Sequence, residues 1–361
     1  MRYTCIDSFC GAGGLGLGLL RAGFDILLSF DIEPKCIQTL ALNKNYINHN
    51  IEVADINNML NGALLQKCGL SRGELFLLAG GPPCQGFSVL RHGEINDPRN
   101  QLVLSYAKLI DELYPFYFVM ENVSGLGGKR GRAVLDELVL TVEKIGYNVH
   151  VRQVDAQTLG VPQRRRRYII VGERKDLGNN YEYPKDLGVR KTVRDTIGSL
   201  PAPPLDGTDH PSVPLHRRDK LSPTNLLRIR SIQQGQSSGD IPMELRANSR
   251  KPGGSGKGFP SVYGRMSWDE VAPTITARFD SFTRGKFGHP EDDRTISLRE
   301  GALLQTFPMD YVFAGNKVDI ARQIGNAVPP QMAAYIGESI ISCYEKSLKT
   351  NALQKPIDRE G

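Results

Sequence analysis

The chain has 361 residues, of which 40% are hydrophobic and 23% are charged, with a formal net charge of +6. This length suits two folded units, and the ordinary globular composition argues against a largely disordered chain. No apolar run approaches the roughly 20 residues of a membrane helix, so we expect no membrane partner, whereas the basic excess favours a polyanionic one. The six cysteines form no C-x-x-C pair, so we expect neither a metal site nor a disulfide framework.

Strand-like and helix-like segments alternate through the first half of the chain. Strands are predicted at residues 3–9, 26–30, 75–79, 116–120 and 168–171, and helices at residues 15–22, 35–43, 102–113 and 134–145. This alternation predicts an α/β fold with a Rossmann-like, doubly wound and mostly parallel sheet. Such sheets bind ligands at the carboxyl ends of their strands. Four residues that just follow predicted strand ends are therefore expected to share one crevice: Gly11, Asp31, Pro83 and Glu121.

The second half of the chain changes in character after about residue 175. Residues 201–260 are rich in Pro, Gly, Ser and Arg, and residues 214–257 hold nine Lys or Arg against three Asp or Glu. We predict a smaller, irregular, basic second domain. The expected division is a catalytic domain at 1–185, the second domain at 186–295, a return to the catalytic domain with a closing helix at 296–348, and a tail at 349–361.

A glycine-rich loop lies between the first predicted strand and helix. Gly11, Gly13 and Gly16 satisfy the G-x-G-x-x-G pattern, and Asp31 ends the next strand, where it could accept hydrogen bonds from ribose hydroxyls. This pattern indicates a nucleoside cofactor but does not separate a nicotinamide cofactor from S-adenosylmethionine. The alternative is a tight turn with an aspartate that caps a helix.

A second loop, at residues 80–88, places Cys84 directly after Pro82 and Pro83. Two prolines stiffen the approach to the cysteine and fix where its sulfur points, as a nucleophile requires. The alternative is a small buried cysteine, but core cysteines usually lie inside strands or helices rather than in a glycine-flanked loop.

These two loops, together with four later elements, resemble the motifs of the prokaryotic type of DNA (cytosine-5) methyltransferase. The later elements are Glu121-Asn122-Val123, the segment 163–167 with its arginines, the segments 299–300 and 304–308, and the segment 323–330. They occur in the family's order and span roughly residues 4 to 335. Residues 273–277 also resemble a short T-x-T-A landmark of the family's target-recognition domain. The resemblance therefore implies that the second domain is the target-recognition domain.

The resemblance implies transfer of a methyl group to carbon 5 of cytosine. Cys84 would add to carbon 6 of the ring, Glu121 would stabilise ring nitrogen 3, and Arg167 would reach the carbonyl oxygen. Arg165 would order the catalytic loop or a phosphate. Arg165 and Arg167 are two positions apart in an apparent strand, so their side chains are expected to face the same side.

The methyl donor implied by the resemblance is S-adenosyl-L-methionine, with S-adenosyl-L-homocysteine as the product. It would lie against the glycine loop, its ribose would meet Asp31, and the chain's two ends would close around it. The residues assigned in this way are Phe9, Ala12, Gly13 and Gly14 in the loop, Asp31 at the ribose, Ile32, Asp55 and Ile56 at the adenine, and Pro82, Leu102, Asn326 and Val328 around the pocket.

The expected partner is double-stranded DNA, from which the target base must be flipped out before it can enter such a site. Residues 87–100 are expected to close over the DNA. We expect a monomer in a prokaryotic cytoplasm, associated with the nucleoid when it acts. The sequence leaves open whether a cognate restriction endonuclease acts separately beside it.

Three other functions are weighed against this one. A tRNA cytosine-5 methyltransferase shares Pro-Pro-Cys and Glu-Asn-Val but usually carries a Cys-Phe-Thr tripeptide, which is absent here. A catalytically inactive DNA-binding regulator is disfavoured because every expected catalytic position is filled. A nicotinamide-dependent oxidoreductase would explain neither the Pro-Pro-Cys loop nor the arginine pair.

Overall fold

The computed structural model describes residues 2–83, 101–128, 131–246 and 261–354, with the side chains of the last five left out. Its contacts divide the chain into two compact units. Unit 1 comprises Met1–Asp155, Arg166–Asp186 and Pro330–Gly361, and unit 2 comprises Ala156–Arg165 and Leu187–Pro329. The roles expected for the two domains, and their boundaries at 185/186 and 295/296, stay predictions.

Unit 1 is built on a seven-stranded sheet with the order β3-β2-β1-β4-β5-β7-β6. The strands are β1 (Thr4–Ser8), β2 (Asp25–Asp31), β3 (Asn50–Val53), β4 (Leu77–Gly80), β5 (Tyr117–Val123), β6 (Tyr147–Asp155) and β7 (Arg166–Arg174). The first five strands pair in parallel, whereas β7 is antiparallel to both β5 and β6. The predicted α/β fold with a mostly parallel sheet is therefore confirmed.

Ten α-helices occur in the described part of the chain. They are α1 (Gly14–Arg21), α2 (Pro34–Leu42), α3 (Ala63–Cys68), α4 (Gln101–Leu113), α5 (Arg132–Ile145), α6 (Val193–Ile197), α7 (Pro223–Arg230), α8 (Leu298–Leu304), α9 (Lys317–Asn326) and α10 (Pro330–Gln354). Helices α6 to α9 belong to unit 2 and the others to unit 1. None of the helices in the described ranges is long and apolar enough to cross a membrane.

Apolar spacing explains how the helices of unit 1 cover the sheet. Val103, Tyr106, Ile110 and Leu113 recur at intervals of three or four residues along α4 and are fully buried in the main core. Helix α10 packs against α1 so closely that a Cβ placed at Gly18 would lie 2.4 Å from the Cβ of Ala333. Only glycine allows this approach, which ties the end of the chain to the first helix of the sheet.

Unit 2 is organised differently, by short helices and isolated bridges rather than by a sheet of its own within the described residues. Its buried arginines bind backbone carbonyls that no strand partner takes. Arg265 donates to Ile229 O and Ile232 O, each at 3.1 Å, and to Asp292 O at 2.6 Å. Trp268 is buried beside this network, with its ring edge-on to that of His289 at 5.1 Å between ring centroids.

Candidate active site

The glycine loop follows β1 and leads into α1 at the carboxyl edge of the sheet. Gly11 and Gly13 have φ angles of 53° and 80°, a left-handed conformation that favours glycine. The Gly11 N–H donates to Asp31 Oδ2 at 2.9 Å, and the Glu33 N–H donates to Asp31 Oδ1 at 2.9 Å. Asp31 at the end of β2 therefore fixes the loop while each carboxylate oxygen keeps a lone pair for a further donor.

A second acidic side chain, that of Asp7, lies next to this loop. Asp7 in β1 is fully buried, and a Cβ at Gly16 would lie 2.7 Å from its Oδ2. Burial raises the pKa of Asp7 to about 8, against the opposing effect of the Gly16 N–H. Burial likewise raises the pKa of Asp31, although the N–H groups of Glu33 and Gly11 act in the opposite direction.

The other residues assigned to the cofactor in unit 1 occupy the same edge or the core beside it. Ile32, which directly follows β2, is 65% exposed and offers an apolar side chain at this edge. Ile56 is instead buried in the main core. The remaining members are Phe9 and Leu102, partly buried against the core, Ala12, which is buried, Gly14, which begins α1, Asp55, which is half-buried after β3, and Pro82, which is buried after β4.

These residues fit S-adenosylmethionine in their chemistry. Asp31 offers an acceptor for ribose hydroxyls, Ile32 offers an exposed apolar surface for a purine, and Asp55 offers an acceptor for an amino group. A Cβ at Gly11 would meet nothing within 4 Å, so the loop leaves room for a ligand beside its backbone.

The segment after β4 is fixed by the residue that follows Glu121. The buried Asn122 side chain donates from Nδ2 to Pro82 O at 3.0 Å. The sequence identified Asn122 only as a member of the Glu121-Asn122-Val123 motif and did not predict this role. Its place in that motif was the one indication that the side chain has a function. Pro83 is the last described residue here, so the predicted nucleophile Cys84 and the predicted closing loop 87–100 lie outside the described residues.

Glu121 and Arg167 form an ion pair at the junction of β5 and β7. The antiparallel register places Glu121 opposite Ile169 and Val123 opposite Arg167. Arg167 therefore lies two residues from the position opposite Glu121, on the same face of the sheet. Its Nε is 2.9 Å from Glu121 Oε1, and both side chains are largely buried. The N–H is not aimed at the oxygen, since Glu121 Oε1 has no hydrogen-bond partner among the described residues. The two groups are therefore held together by charge rather than by a hydrogen bond.

Arg165, which comes two residues earlier, belongs to unit 2 and lies outside β7. It is 1% exposed, and its guanidinium donates to Ile275 O at 3.0 Å, Gly325 O at 3.1 Å and Ala327 O at 2.9 Å. These contacts are structural, and they hold the backbone on both sides of Asn326. Asn326 itself is exposed and Val328 is buried.

Two glutamines that sequence reasoning left without a role support the same part of unit 2. Gln163 Nε2 donates to Leu304 O at 2.9 Å and to Gln305 Oε1 at 2.7 Å, and Gln163 Oε1 accepts from the Ile275 N–H at 3.0 Å. Gln305 donates in turn to Ile324 O at 2.5 Å. Both glutamines lie in the family-like segments 163–167 and 304–308, which indicated that they have a role. The residue type alone does not distinguish a buried glutamine that supports the backbone from an exposed one.

Two curated relatives are similar to this chain over most of its length. A Type II methylase, M.HgiDII of Herpetosiphon aurantiacus, is 35% identical over 94% of this chain and 95% of that relative. A Type II methyltransferase, M1.HphI of Haemophilus parahaemolyticus, is 34% identical over 94% of this chain and 87% of its own length.

Solved structures of methyltransferases are also similar to this chain over most of its length. A prophage-encoded E. coli protein described as a DNA modification methyltransferase superposes with a TM-score of 0.69 at 26% identity, over 95% of this chain and 100% of that one. Spodoptera frugiperda DNMT2, at 16% identity and a TM-score of 0.62 over 94% of this chain and 100% of its own, shares the fold. The model of the C-5 cytosine-specific DNA methylases matches residues 3–342. The chain therefore belongs to the C-5 cytosine-specific DNA methylase family.

Proposed function

We propose that this enzyme transfers a methyl group from S-adenosylmethionine to carbon 5 of a cytosine flipped out of a specific duplex DNA sequence. The observation that supports this most directly is the Glu121–Arg167 pair. It places a carboxyl group and a guanidinium side by side, next to the segment that leads to Cys84. These are the groups needed to bind one edge of a cytosine ring.

Cys84 would be the nucleophile. Its thiolate forms a bond to carbon 6, and the electron pair of the ring double bond makes carbon 5 the attacking atom. S-adenosylmethionine, when bound, supplies an electrophilic methyl group. After transfer, the proton on carbon 5 passes to a base in solvent, the carbon–sulfur bond breaks, and the thiolate leaves. The buried Asn122–Pro82 bond supports this role because it fixes the backbone two residues before Cys84.

Glu121 and Arg167 would hold the ring during this addition. Negative charge develops across ring nitrogen 3 and the carbonyl oxygen as the thiolate attacks. Arg167, a fixed donor, would stabilise the oxygen, and Glu121 in its protonated form would donate to ring nitrogen 3 and accept a hydrogen bond from the amino group. Their mutual contact at 2.9 Å orients both before a base arrives. We assign Arg165 a positioning role instead, because its guanidinium donates to three backbone carbonyls of unit 2.

S-adenosylmethionine would be held by residues of unit 1 at the ends of β1, β2 and β3. Asp31 would bind the ribose hydroxyls, Gly11 and Gly13 would let the backbone approach the amino-acid part, and Ile32 would cover the adenine. Unit 2, with its basic excess, would contact DNA phosphates and read the target sequence. We further propose a monomer in a prokaryotic cytoplasm, acting at the nucleoid, with a cognate restriction endonuclease as a separate protein.

Bisulfite sequencing of plasmid DNA from cells that express the wild type or Cys84→Ala tests this proposal. We expect 5-methylcytosine at one short recurring motif with the wild type and none with the variant. Methylation that persists in Cys84→Ala would overturn the role of the cysteine. Absence of methylcytosine in both samples, with soluble protein present, would overturn the proposed function.

A further inference from the structure

We infer that Ser105 and Asn57 position the carboxylate of Asp55 and thereby set the preference of the cofactor site for a 6-amino purine. The inference rests on the proposed use of S-adenosylmethionine and names two residues that neither the motifs nor the comparisons assign. It arises from a chain of three side chains that runs from helix α4 to the edge of the sheet.

The first link is between Asn57 and Asp55. Both the backbone N–H of Asn57, at 2.8 Å, and its side-chain Nδ2, at 2.9 Å, donate to the same oxygen, Asp55 Oδ1. Two donors fix the plane of the carboxylate and occupy Oδ1. No described residue donates to the other oxygen, Oδ2, so it remains an oriented acceptor.

The second link is between Ser105 and Asn57. The Ser105 hydroxyl donates to Asn57 Oδ1 at 2.8 Å, and Ser105 is only 7% exposed. A serine inside a helix commonly bonds a carbonyl of its own preceding turn, but this hydroxyl leaves α4 for Asn57. Because the amide oxygen faces Ser105, the amide nitrogen must face Asp55, which as a carboxylate can only accept.

The position of Asp55 points to a purine as the group it recognises. Asp31 pairs with Val53 in the sheet, and the Ala54 N–H donates to Asp31 O at 3.0 Å, so Asp55 follows on the same edge as the proposed ribose ligand. The exposed Ile32 directly follows Asp31. An oriented acceptor beside an apolar surface suits the exocyclic amino group of adenine and disfavours a carbonyl oxygen at the same position, because two acceptors repel.

Calorimetric titration with two stable ligands tests the inference: S-adenosylhomocysteine and its 6-oxo counterpart, S-inosylhomocysteine. Wild type should prefer the amino ligand. In Ser105→Ala and Asn57→Ala, we expect the affinity for S-adenosylhomocysteine to fall about fivefold, the size of one lost hydrogen bond, while the affinity for the inosyl ligand changes less than about twofold. Asn58→Ala is the matched control, since Asn58 is exposed in the same turn and makes no described side-chain bond.

The ratio of the two affinities separates positioning from general structural support. A smaller ratio in both variants and an unchanged ratio in Asn58→Ala support the inference. Equal losses for both ligands, or an unchanged ratio, overturn it while leaving the proposed function intact. Failure of the wild type to bind S-adenosylhomocysteine would instead contradict the proposed cofactor.

Discussion

The two units use buried charge in opposite ways. In unit 1, Glu121 meets Arg167 but keeps Oε1 without a hydrogen-bond partner among the described residues. In unit 2, Arg294 and Glu300 are each almost fully buried and joined by two hydrogen bonds, at 2.7 and 2.8 Å. A buried charge with an unused acceptor is costly and suits chemistry, whereas a fully bonded pair fixes a structure.

The difference follows from how each unit provides hydrogen-bond partners for its backbone N–H and carbonyl groups. The sheet of unit 1 pairs its own N–H and carbonyl groups, so polar side chains at its carboxyl edge are available for ligands. Unit 2 has few backbone ladders among its described residues, and side chains such as Arg265 and Arg299 bind the carbonyls instead. Removing a charge should therefore affect activity in unit 1 and stability in unit 2.

The largest expected effect tests the active-site half of this comparison. Glu121→Gln should lower kcat for methyl transfer by roughly 10²- to 10⁴-fold, because an amide cannot supply the same charge or proton chemistry at the ring. Thermal unfolding and S-adenosylhomocysteine affinity should stay close to wild type, since the carboxylate is not part of a fully bonded network. Steady-state kinetics with labelled methyl donor measure the change. Full activity in the variant would remove Glu121 from the mechanism.

The next effect concerns stability. Glu300→Gln removes the buried carboxylate that accepts two hydrogen bonds from Arg294 and leaves Asp292 as the described ionic partner of this arginine. The loss of these charge-assisted bonds should cost about 1.5–3 kcal/mol of unfolding free energy. Burial opposes ionisation, but the hydrogen bonds and charge of Arg294 lower the pKa of Glu300 to about 2. The stabilisation is therefore complete above the unfolded value of 4.5 and is lost as the pH falls toward 2.

Denaturant titrations between pH 3 and pH 7 measure this loss. The matched control is Glu291→Gln, which removes an exposed carboxylate close by in the same unit and should change little. An unfolding midpoint in Glu300→Gln equal to that of wild type at pH 7 would contradict the structural role of the buried pair.

The smallest effect belongs to an exposed pair in unit 1. Arg166 Nε lies 3.3 Å from Asp155 Oδ2, but the arginine side chain is 69% exposed. Solvent screens such pairs, so Arg166→Ala should change the unfolding free energy by less than about 1 kcal/mol. Thermal melts at low and high salt measure it. A loss as large as that of Glu300→Gln would show that exposure does not separate the two classes of charge.

Much of the sheet was predictable because its central strands are continuous apolar runs. The segments 26–30, 75–79 and 116–120 lie within or overlap β2, β4 and β5. The sequence did not reveal β3 and β6, which form the two edges of the sheet. Their residues are largely half-buried or exposed, so the pattern that marks a buried strand is weak there.

The candidate site was predictable only as far as residue type and motif order allow. The ion pair of Glu121 with Arg167 depends on the antiparallel register of β5 and β7, which no periodicity discloses. Arg165 and Arg167 share a sequence spacing, yet one binds carbonyls of unit 2 and the other binds a carboxylate of unit 1. Buried arginines are rare enough that sequence patterns favour an exposed one.

Transfer of tritiated methyl from S-adenosylmethionine to duplex DNA and to tRNA, assayed in parallel with the purified protein, tests the central claim most directly. We expect label in DNA, recovered as 5-methylcytosine after digestion, and none in tRNA. Label found exclusively in tRNA would contradict the account.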